Sequence, residues 1–152
     1  MARMLSPNFS LDEFIFSQTA ARAGIDNTPD AATLRNLKHL AEQLEIVRER
    51  LGGVSILVSS AYRSPALNRA VKGAKNSAHL TGLAVDFTAP RFGTVLQTSK
   101  AVAASGIAYD QVIYEYGRWV HLGVTPPGEQ AKSELLSILV AGQYIDGLRS
   151  IA

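Results

Sequence analysis

Two short segments of the chain contain residue types that bind transition metals. The first, SAHLTGLAVDF (residues 77–87), contains His79 and Asp86, and the second, RWVHLGV (residues 118–124), contains His121. Asp86 stands in an apolar run, where an ionised carboxylate is costly unless it is paired or holds a metal. Two imidazoles and one carboxylate, with a fourth position left to water, are typical of a catalytic zinc site, in which the water has a pKa of about 7.

Strand alternation predicts where these groups lie. Within residues 83–87 the aliphatic and aromatic side chains point to one face and Asp86 points to the opposite face. Within residues 118–124 the aliphatic side chains oppose His121 in the same way. His79 precedes the first strand and can reach back over Asp86. The same residues also allow a metal-free fold in which His79 and Asp86 form a hydrogen-bonded pair.

The composition is that of a globular protein, and it limits the kinds of cross-link and metal site that the chain can form. The 152 residues are 47% hydrophobic and 18% charged, and there is no cysteine, so a disulfide framework and a thiolate metal site are excluded. A net charge of +2 fits an anionic partner such as a cell-wall polymer. The sequence has no run of basic residues with interleaved aromatic residues, the pattern that would indicate nucleic-acid binding. No apolar stretch has the length of a signal peptide or of a membrane span, so we expect neither.

The remaining patterns predict the elements that must position these residues. A long helix is predicted over residues 28–53, with Thr28 as its cap, Pro29 in its first turn and leucines at three- and four-residue spacing. Shorter helices are predicted from a capping box at residues 10–13, from a Ser-Pro start at residues 64–65, over residues 93–105 and over residues 129–144. Strands are predicted over residues 54–60 and 83–88 and in a hairpin over residues 110–124. We therefore expect one α+β domain over residues 1–152, with a small, mostly antiparallel sheet flanked by helices and a zinc site in a cleft on the sheet.

The motifs resemble those of a known family. Residues 60–87 and 110–122 resemble the zinc D-Ala-D-Ala carboxypeptidases, a family that includes phage L-Ala-D-Glu and related peptidoglycan endopeptidases. The family's Ser-x-His-x-x-Gly-x-Ala-x-Asp motif corresponds to residues 77–86, and its distant Trp-x-His corresponds to residues 119–121. Residues 10–27 also resemble the opening of phage and prophage members.

The resemblance implies a zinc metallopeptidase in which His79, Asp86 and His121 bind Zn²⁺. It also implies that Arg63 grips a substrate carboxylate, a role that suits a planar guanidinium. Ser77 either hydrogen-bonds the substrate or braces its own loop. The expected substrate is a peptidoglycan stem peptide, cut at a D-Ala-D-Ala, L-Ala-D-Glu or cross-link bond by a monomeric carboxypeptidase or endopeptidase.

The resemblance further implies a phage or prophage endolysin. Such a protein is expected to be made in the bacterial host cytoplasm without a signal peptide and to act on the cell wall. The alternative is an inactive zinc-holding module that binds the wall or forms part of a virion. One departure from the family pattern favours this alternative, because members often carry Glu or Asp three residues before the last zinc histidine, where this chain has Arg118.

Two other carboxylates can serve as the general base, and the register of the hairpin decides between them. With a two-residue turn, Tyr114 faces His121 and Glu115 turns away from the metal. Asp110 then has the correct face but lies four residues, about 13 Å, along the strand. A three-residue turn or a bulge brings Glu115 to the metal face. We expect that register, with Glu115 as the general base and Asp110 as the second candidate.

Overall fold

The computed structural model describes residues 3–140 and 143–149. The strands are β1 (Met4–Ser6), β2 (Phe9–Ser10), β3 (Leu57–Ser60), β4 (Ala84–Thr88), β5 (Tyr109–Glu115), β6 (Trp119–Val124), β7 (Glu134–Val140) and β8 (Gln143–Asp146). The α-helices are α1 (Leu11–Ile15), α2 (Gln18–Ala23), α3 (Ala31–Arg50), α4 (Pro65–Ala70) and α5 (Val95–Ala103), and a short 3₁₀ helix spans Ala78–Thr81. Within these residues, no helix combines the length and the apolar character that crossing a bilayer requires.

Six of the strands form one sheet. Their order is β3-β4-β6-β5-β7-β8, and β1 and β2 form a separate two-stranded sheet. Strand β5 pairs with β7 in parallel, whereas the other neighbouring strands are antiparallel. The α+β class and the mostly antiparallel sheet predicted from the sequence are therefore confirmed.

The main core lies between α3 and one face of the sheet. Leucines of α3 at three- and four-residue spacing pack with the alternating apolar residues of β4 and β6, as amphipathic helices and half-buried strands do. The fully buried members include Leu37, Leu40, Leu44, Val47, Val85, Phe87, Val120 and Leu122. Because side chains alternate along a strand, this packing turns Asp86 and His121 to the opposite face of the sheet.

Capping residues set the starts of the helices. Ser10 and Glu13 form the predicted capping box of α1, and the Ser64 hydroxyl caps α4 with Pro65 in its first turn. The predicted cap of the long helix was wrong. Asp30, not Thr28, caps α3, because the Asp30 carboxylate accepts a hydrogen bond from the backbone N–H of Thr33 at 2.8 Å.

The strand predicted over residues 54–60 is shorter than expected, since β3 covers only the last four of these residues.

The predicted helix over residues 129–144 was wrong. Strands β7 and β8 occupy its described part, and residues 141–142 lie outside the described residues. An apolar run such as LLSILV does not distinguish a buried strand from a buried helix. The run forms a strand because the edge of β5 is available for pairing. Strand β7 pairs with that edge from Gln111↔Glu134 to Glu115↔Ile138. The pairing buries Leu136 and Ile138 against Ile113, on the face of the sheet that Asp86 occupies.

Candidate metal centre

His79, Asp86 and His121 come together on the sheet face opposite α3. Asp86 on β4 and His121 on β6 are directly paired residues of adjacent antiparallel strands. Their ligand atoms and one from His79 all lie within 4.8 Å of one another. Asp86 Oδ1 is 2.9 Å from His121 Nδ1 and 3.3 Å from His79 Nε2. All three residues are buried, with 2% to 8% of their surface exposed.

The short 3₁₀ helix places His79. The hydroxyl of Ser77 accepts a hydrogen bond from the backbone N–H of His79 at 3.2 Å, so Ser77 braces the start of this helix. Gly82 ends the helix with φ +77°, where a side chain would be strained and would press on Leu37 and Thr33 of α3. Ser77 at the start and Gly82 at the end of the 3₁₀ helix therefore fix the position of the His79 imidazole over β4.

The donor set and its spacing fit a divalent metal ion such as zinc. Ligands at 2.0–2.2 Å from a tetrahedral ion lie about 3.3 Å apart, close to the separations seen here. The Nδ1 of His79 lies 2.6 Å from the carbonyl of Ala61, and since a carbonyl can only accept, Nδ1 carries the proton. The lone pair of Nε2 is then free and faces Asp86. Orientation of a ligand histidine by a backbone carbonyl is a common feature of zinc sites.

Electrostatics favour the protonation states that metal binding requires at Asp86 and His79 and oppose them at His121. Burial alone raises the pKa of Asp86, but the nearby imidazole of His79 and the hydrogen bond from His121 outweigh it and hold that pKa well below its ordinary value. Burial lowers the pKa of His79. Burial also opposes protonation of His121, but its hydrogen bond to Asp86 raises its pKa overall. Asp86 is therefore an anion and His79 a neutral imidazole near pH 7.

The hairpin between β5 and β6 brings Glu115 to the site. Ile113 pairs with His121 and Glu115 pairs with Trp119, so the turn contains three residues (116–118). Tyr116 and Gly117 in this turn have φ values of 55° and 66°. Because Trp119 and His121 share a face, Glu115 points to the metal face, as it does in the register expected from the sequence. Burial, followed by the charge of Asp86, raises the pKa of Glu115.

Asp110 lies farther from the three clustered ligands. It stands three residues from Ile113, the partner of His121, which is about 10 Å along the strand. Its carboxylate accepts hydrogen bonds from the Thr125 hydroxyl at 2.9 Å and from the backbone N–H of Lys132 at 3.2 Å. Asp110 thus ties together the two loops at the far end of the same cleft.

Arg63 lies beside the cluster. Its Nη2 is 3.7 Å from Asp86 Oδ2, and its backbone N–H donates to the carbonyl of His79 at 3.0 Å. About 17% of its side chain is exposed. The guanidinium therefore borders the metal cluster while it stays accessible to a ligand in the cleft.

A cleft of about 860 Å³ connects these groups. Arg63, Glu115 and the three clustered residues line it at one end, and Asp110, Glu129 and Lys132 line it at the other. Trp119 also lines the cleft. Among the described residues, its indole Nε1 is the buried side-chain polar atom that has no hydrogen-bond partner.

Several contacts that hold the site were missed in the sequence. Asn68 contacts the Arg63 guanidinium, and Asn27 contacts the backbone on both sides of Arg63. Neither asparagine stands at a spacing that marks it, since Asn27 is distant in the chain and Asn68 follows Arg63 on the next helix without a recognised motif. Their burial, 4% exposed for Asn68 and 8% for Asn27, becomes visible only in the folded chain.

The comparisons with known proteins agree with this geometry. No curated protein matches the chain. The family model described as Peptidase M15 matches residues 7–123, a range that contains the three clustered residues, Arg63 and Glu115. Since this match covers well over half of the 152 residues, the chain belongs to the peptidase M15 family, which indicates a zinc metallopeptidase.

Proposed function

We propose that this protein is a zinc-dependent peptidase that hydrolyses an amide bond in peptidoglycan stem peptides, in the manner of a phage or prophage endolysin. The observation that carries the proposal is the buried cluster of two histidines and one aspartate with Glu115 on the same face of the sheet, in a chain of the M15 family. The three-residue turn supports the enzyme over the inactive module, because it brings a carboxylate to the metal face without the usual spacing.

In this proposal His79, Asp86 and His121 are the metal ligands. Zinc held by three such ligands supplies Lewis-acid activation of the scissile carbonyl and of the attacking water. Glu115 is the general base, which takes a proton as the water attacks and returns it to the amine as the C–N bond breaks. Its burial and its raised pKa suit this role, because a base whose pKa approaches the working pH both accepts and donates a proton readily.

Arg63 and the cleft recognise the stem peptide. A guanidinium binds a carboxylate with paired hydrogen bonds, and stem peptides carry free carboxylates. A cleft of about 860 Å³ lies within the range of sites that enclose small ligands and short peptides. Ser77 also lines the cleft, where its hydroxyl braces the His79 helix and lies within the surface offered to a substrate.

Digestion of purified peptidoglycan tests the proposal. Zinc-loaded protein is expected to release new amino termini, and a chelator is expected to abolish the release. Glu115→Gln is expected to lower the rate at least about 100-fold, whereas Glu49→Gln, an exposed carboxylate on α3, is expected to leave it unchanged. Mass spectrometry of the fragments then identifies the bond. The absence of new amino termini from a zinc-loaded sample would show the proposal to be wrong.

A further inference from the structure

We infer that Asn68 is a positioning residue that holds the guanidinium of Arg63 in the orientation needed for carboxylate recognition. This inference rests on the proposed function, in which Arg63 binds a substrate carboxylate. Asn68 lies on α4 and is 4% exposed. Its side-chain oxygen accepts a hydrogen bond from Arg63 Nη1 at 3.1 Å, and its amide nitrogen donates to the carbonyl of Ala74 at 3.0 Å. One buried side chain thus connects the arginine to the loop that covers it.

The guanidinium is held along one edge and left open along the other. Arg63 Nε lies 3.5 Å from the hydroxyl of Ser60, and Nη1 is bound to Asn68. Nη2 is directed towards Asp86 and the cleft. Since a guanidinium carries five N–H donors, these contacts leave donors free on the cleft side. A long, flexible side chain is thereby fixed before a ligand arrives, which lowers the cost of ordering it on binding.

Gly73 supplies an independent observation for the same contact. Its backbone N–H donates to the carbonyl of Asn68 at 2.8 Å, so the loop closes tightly over the end of α4. A Cβ at this position would overlap Asn68 Oδ1 and would lie 2.7 Å from Arg63 Nη1. The glycine is therefore required by the close approach of the loop to the Asn68–Arg63 pair and not by its backbone angles, which lie outside the left-handed region.

A second asparagine fixes the backbone of the same arginine. Asn27 donates to the carbonyl of Tyr62 at 3.1 Å and accepts from the backbone N–H of Ser64 at 2.7 Å. These are the residues on either side of Arg63. The backbone is thus held by Asn27 and the side chain by Asn68, so a change at Asn68 is expected to release the guanidinium without releasing the β3–α4 loop that carries it.

The test measures substrate binding in a protein that does not cut the substrate. All variants are made in zinc-loaded Glu115→Gln protein. The probe is the mixture of disaccharide-peptides that a muramidase releases from purified peptidoglycan, compared with the same mixture after its carboxylates are converted to amides. Trp119 is the chain's one tryptophan and lines the cleft, so its fluorescence reports binding.

We expect Arg63→Ala to weaken binding of the carboxylate probe about 100-fold and Asn68→Ala to weaken it about tenfold, since each removes hydrogen bonds of a charged group. Neither change is expected to affect the amidated probe. In the Arg63→Ala background, Asn68→Ala is expected to cause no further loss, because the group it positions is gone. Gly73→Ala is expected to reproduce the effect of Asn68→Ala. Asn8→Ala, which removes a side-chain hydrogen bond on the first hairpin, is the matched control and is expected to leave binding unchanged.

The outcomes separate this inference from the proposed function. Asn68 is only structural if Asn68→Ala weakens binding of the carboxylate probe and of the amidated probe equally. The same conclusion follows if Asn68→Ala weakens binding as much in the Arg63→Ala background as in the presence of Arg63. Either result makes the inference wrong, while the peptidase function stands. If the parent protein binds neither probe, the proposed function and this inference are both wrong. Melting temperatures identify a variant that fails to fold. Gly73→Ala then decides the question, because it lies in a loop and keeps both side chains while forcing the Asn68–Arg63 contact apart.

Discussion

Zinc is expected to stabilise the metal-free protein through His79, Asp86 and His121. These side chains come from the 3₁₀ helix, β4 and β6, so an ion held by all three binds only the folded chain. A ligand that binds only the folded state stabilises it by about 2.7 kcal/mol at a free concentration 100 times its Kd. In a chain of this length, 1 kcal/mol corresponds to about 3 °C in Tm, so the expected rise is about 8 °C.

Variants at the two clustered histidines are expected to lose this shift. Loss of residues that merely orient zinc ligands weakens binding 10- to 100-fold, so loss of a ligand weakens it by about 100-fold or more. At the same zinc concentration His121→Gln then retains about 0.4 kcal/mol, or about 1 °C, and His79→Gln behaves alike. The third histidine, His39 on α3, lies outside the cluster and contacts the carbonyl of Thr125, which makes His39→Gln the matched control.

Differential scanning calorimetry of chelator-treated protein, with and without added zinc, measures these shifts. His39→Gln is expected to keep the full rise even where its own Tm in the absence of zinc is lower. A wild-type rise that persists in His79→Gln or His121→Gln, or that disappears in His39→Gln, would refute the assignment of the three ligands.

Three further predictions follow from contacts described above. Burial raises the pKa of Glu115, and a general base must be ionised, so activity is expected to fall with decreasing pH through a value above that of an ordinary glutamate; a pH–rate profile measures it. Burial opposes ionisation of Glu45, but hydrogen bonds from Asn8 and Ser6 together outweigh it and lower its pKa. The stabilising effect of Glu45 is therefore present above the unfolded carboxyl pKa and is lost as pH falls through the lowered one. Glu45→Ala is therefore expected to lower the free energy of unfolding by about 1 kcal/mol at pH 7 and by less near pH 3, as measured with urea. Leu44→Ala, at a fully buried position of α3, is expected to cost about 3 kcal/mol in the same assay.

Matched substitutions provide the controls for these measurements. Glu49→Ala changes an exposed carboxylate of the same helix, and Leu57→Ala changes a leucine that is 55% exposed, so both are expected to leave the free energy of unfolding nearly unchanged. An equal loss for Glu45→Ala at pH 7 and pH 3 would contradict the ionised hydrogen-bonded role. If the pH–rate profile falls at the pKa of an ordinary glutamate and not above it, the assignment of Glu115 as the general base would be contradicted.

The faces of the central strands could be predicted from the sequence because alternation is a local property. In β4 and β6 every second residue is aliphatic or aromatic, and burying that set against α3 necessarily turns Asp86 and His121 to the other side. The starts of α1 and α4 were also predictable, since a capping side chain and its partner lie within four residues of each other.

The parts that depend on how separate elements meet in the folded chain could not be predicted from their own residues in the same way. Strand β7 forms because β5 offers a free edge, and the run LLSILV itself does not indicate whether a helix or a strand will form. The three-residue turn that places Glu115 was expected from the need for a carboxylate near the metal, and its own residues do not indicate it, since Tyr116 adopts a positive φ although it is not a glycine. The role of Asn68 depends on Arg63 and Gly73, which approach it only in the folded chain.

The cleft draws on two separate stretches of the chain. The metal ligands, Arg63 and Glu115 all lie within residues 7–123, the range shared with the M15 family. Glu134, Leu136 and Tyr144, which line another wall, belong to the β7–β8 hairpin beyond that range. The hairpin can therefore vary in sequence and reshape this wall of the cleft without altering the three clustered residues, Arg63 or Glu115.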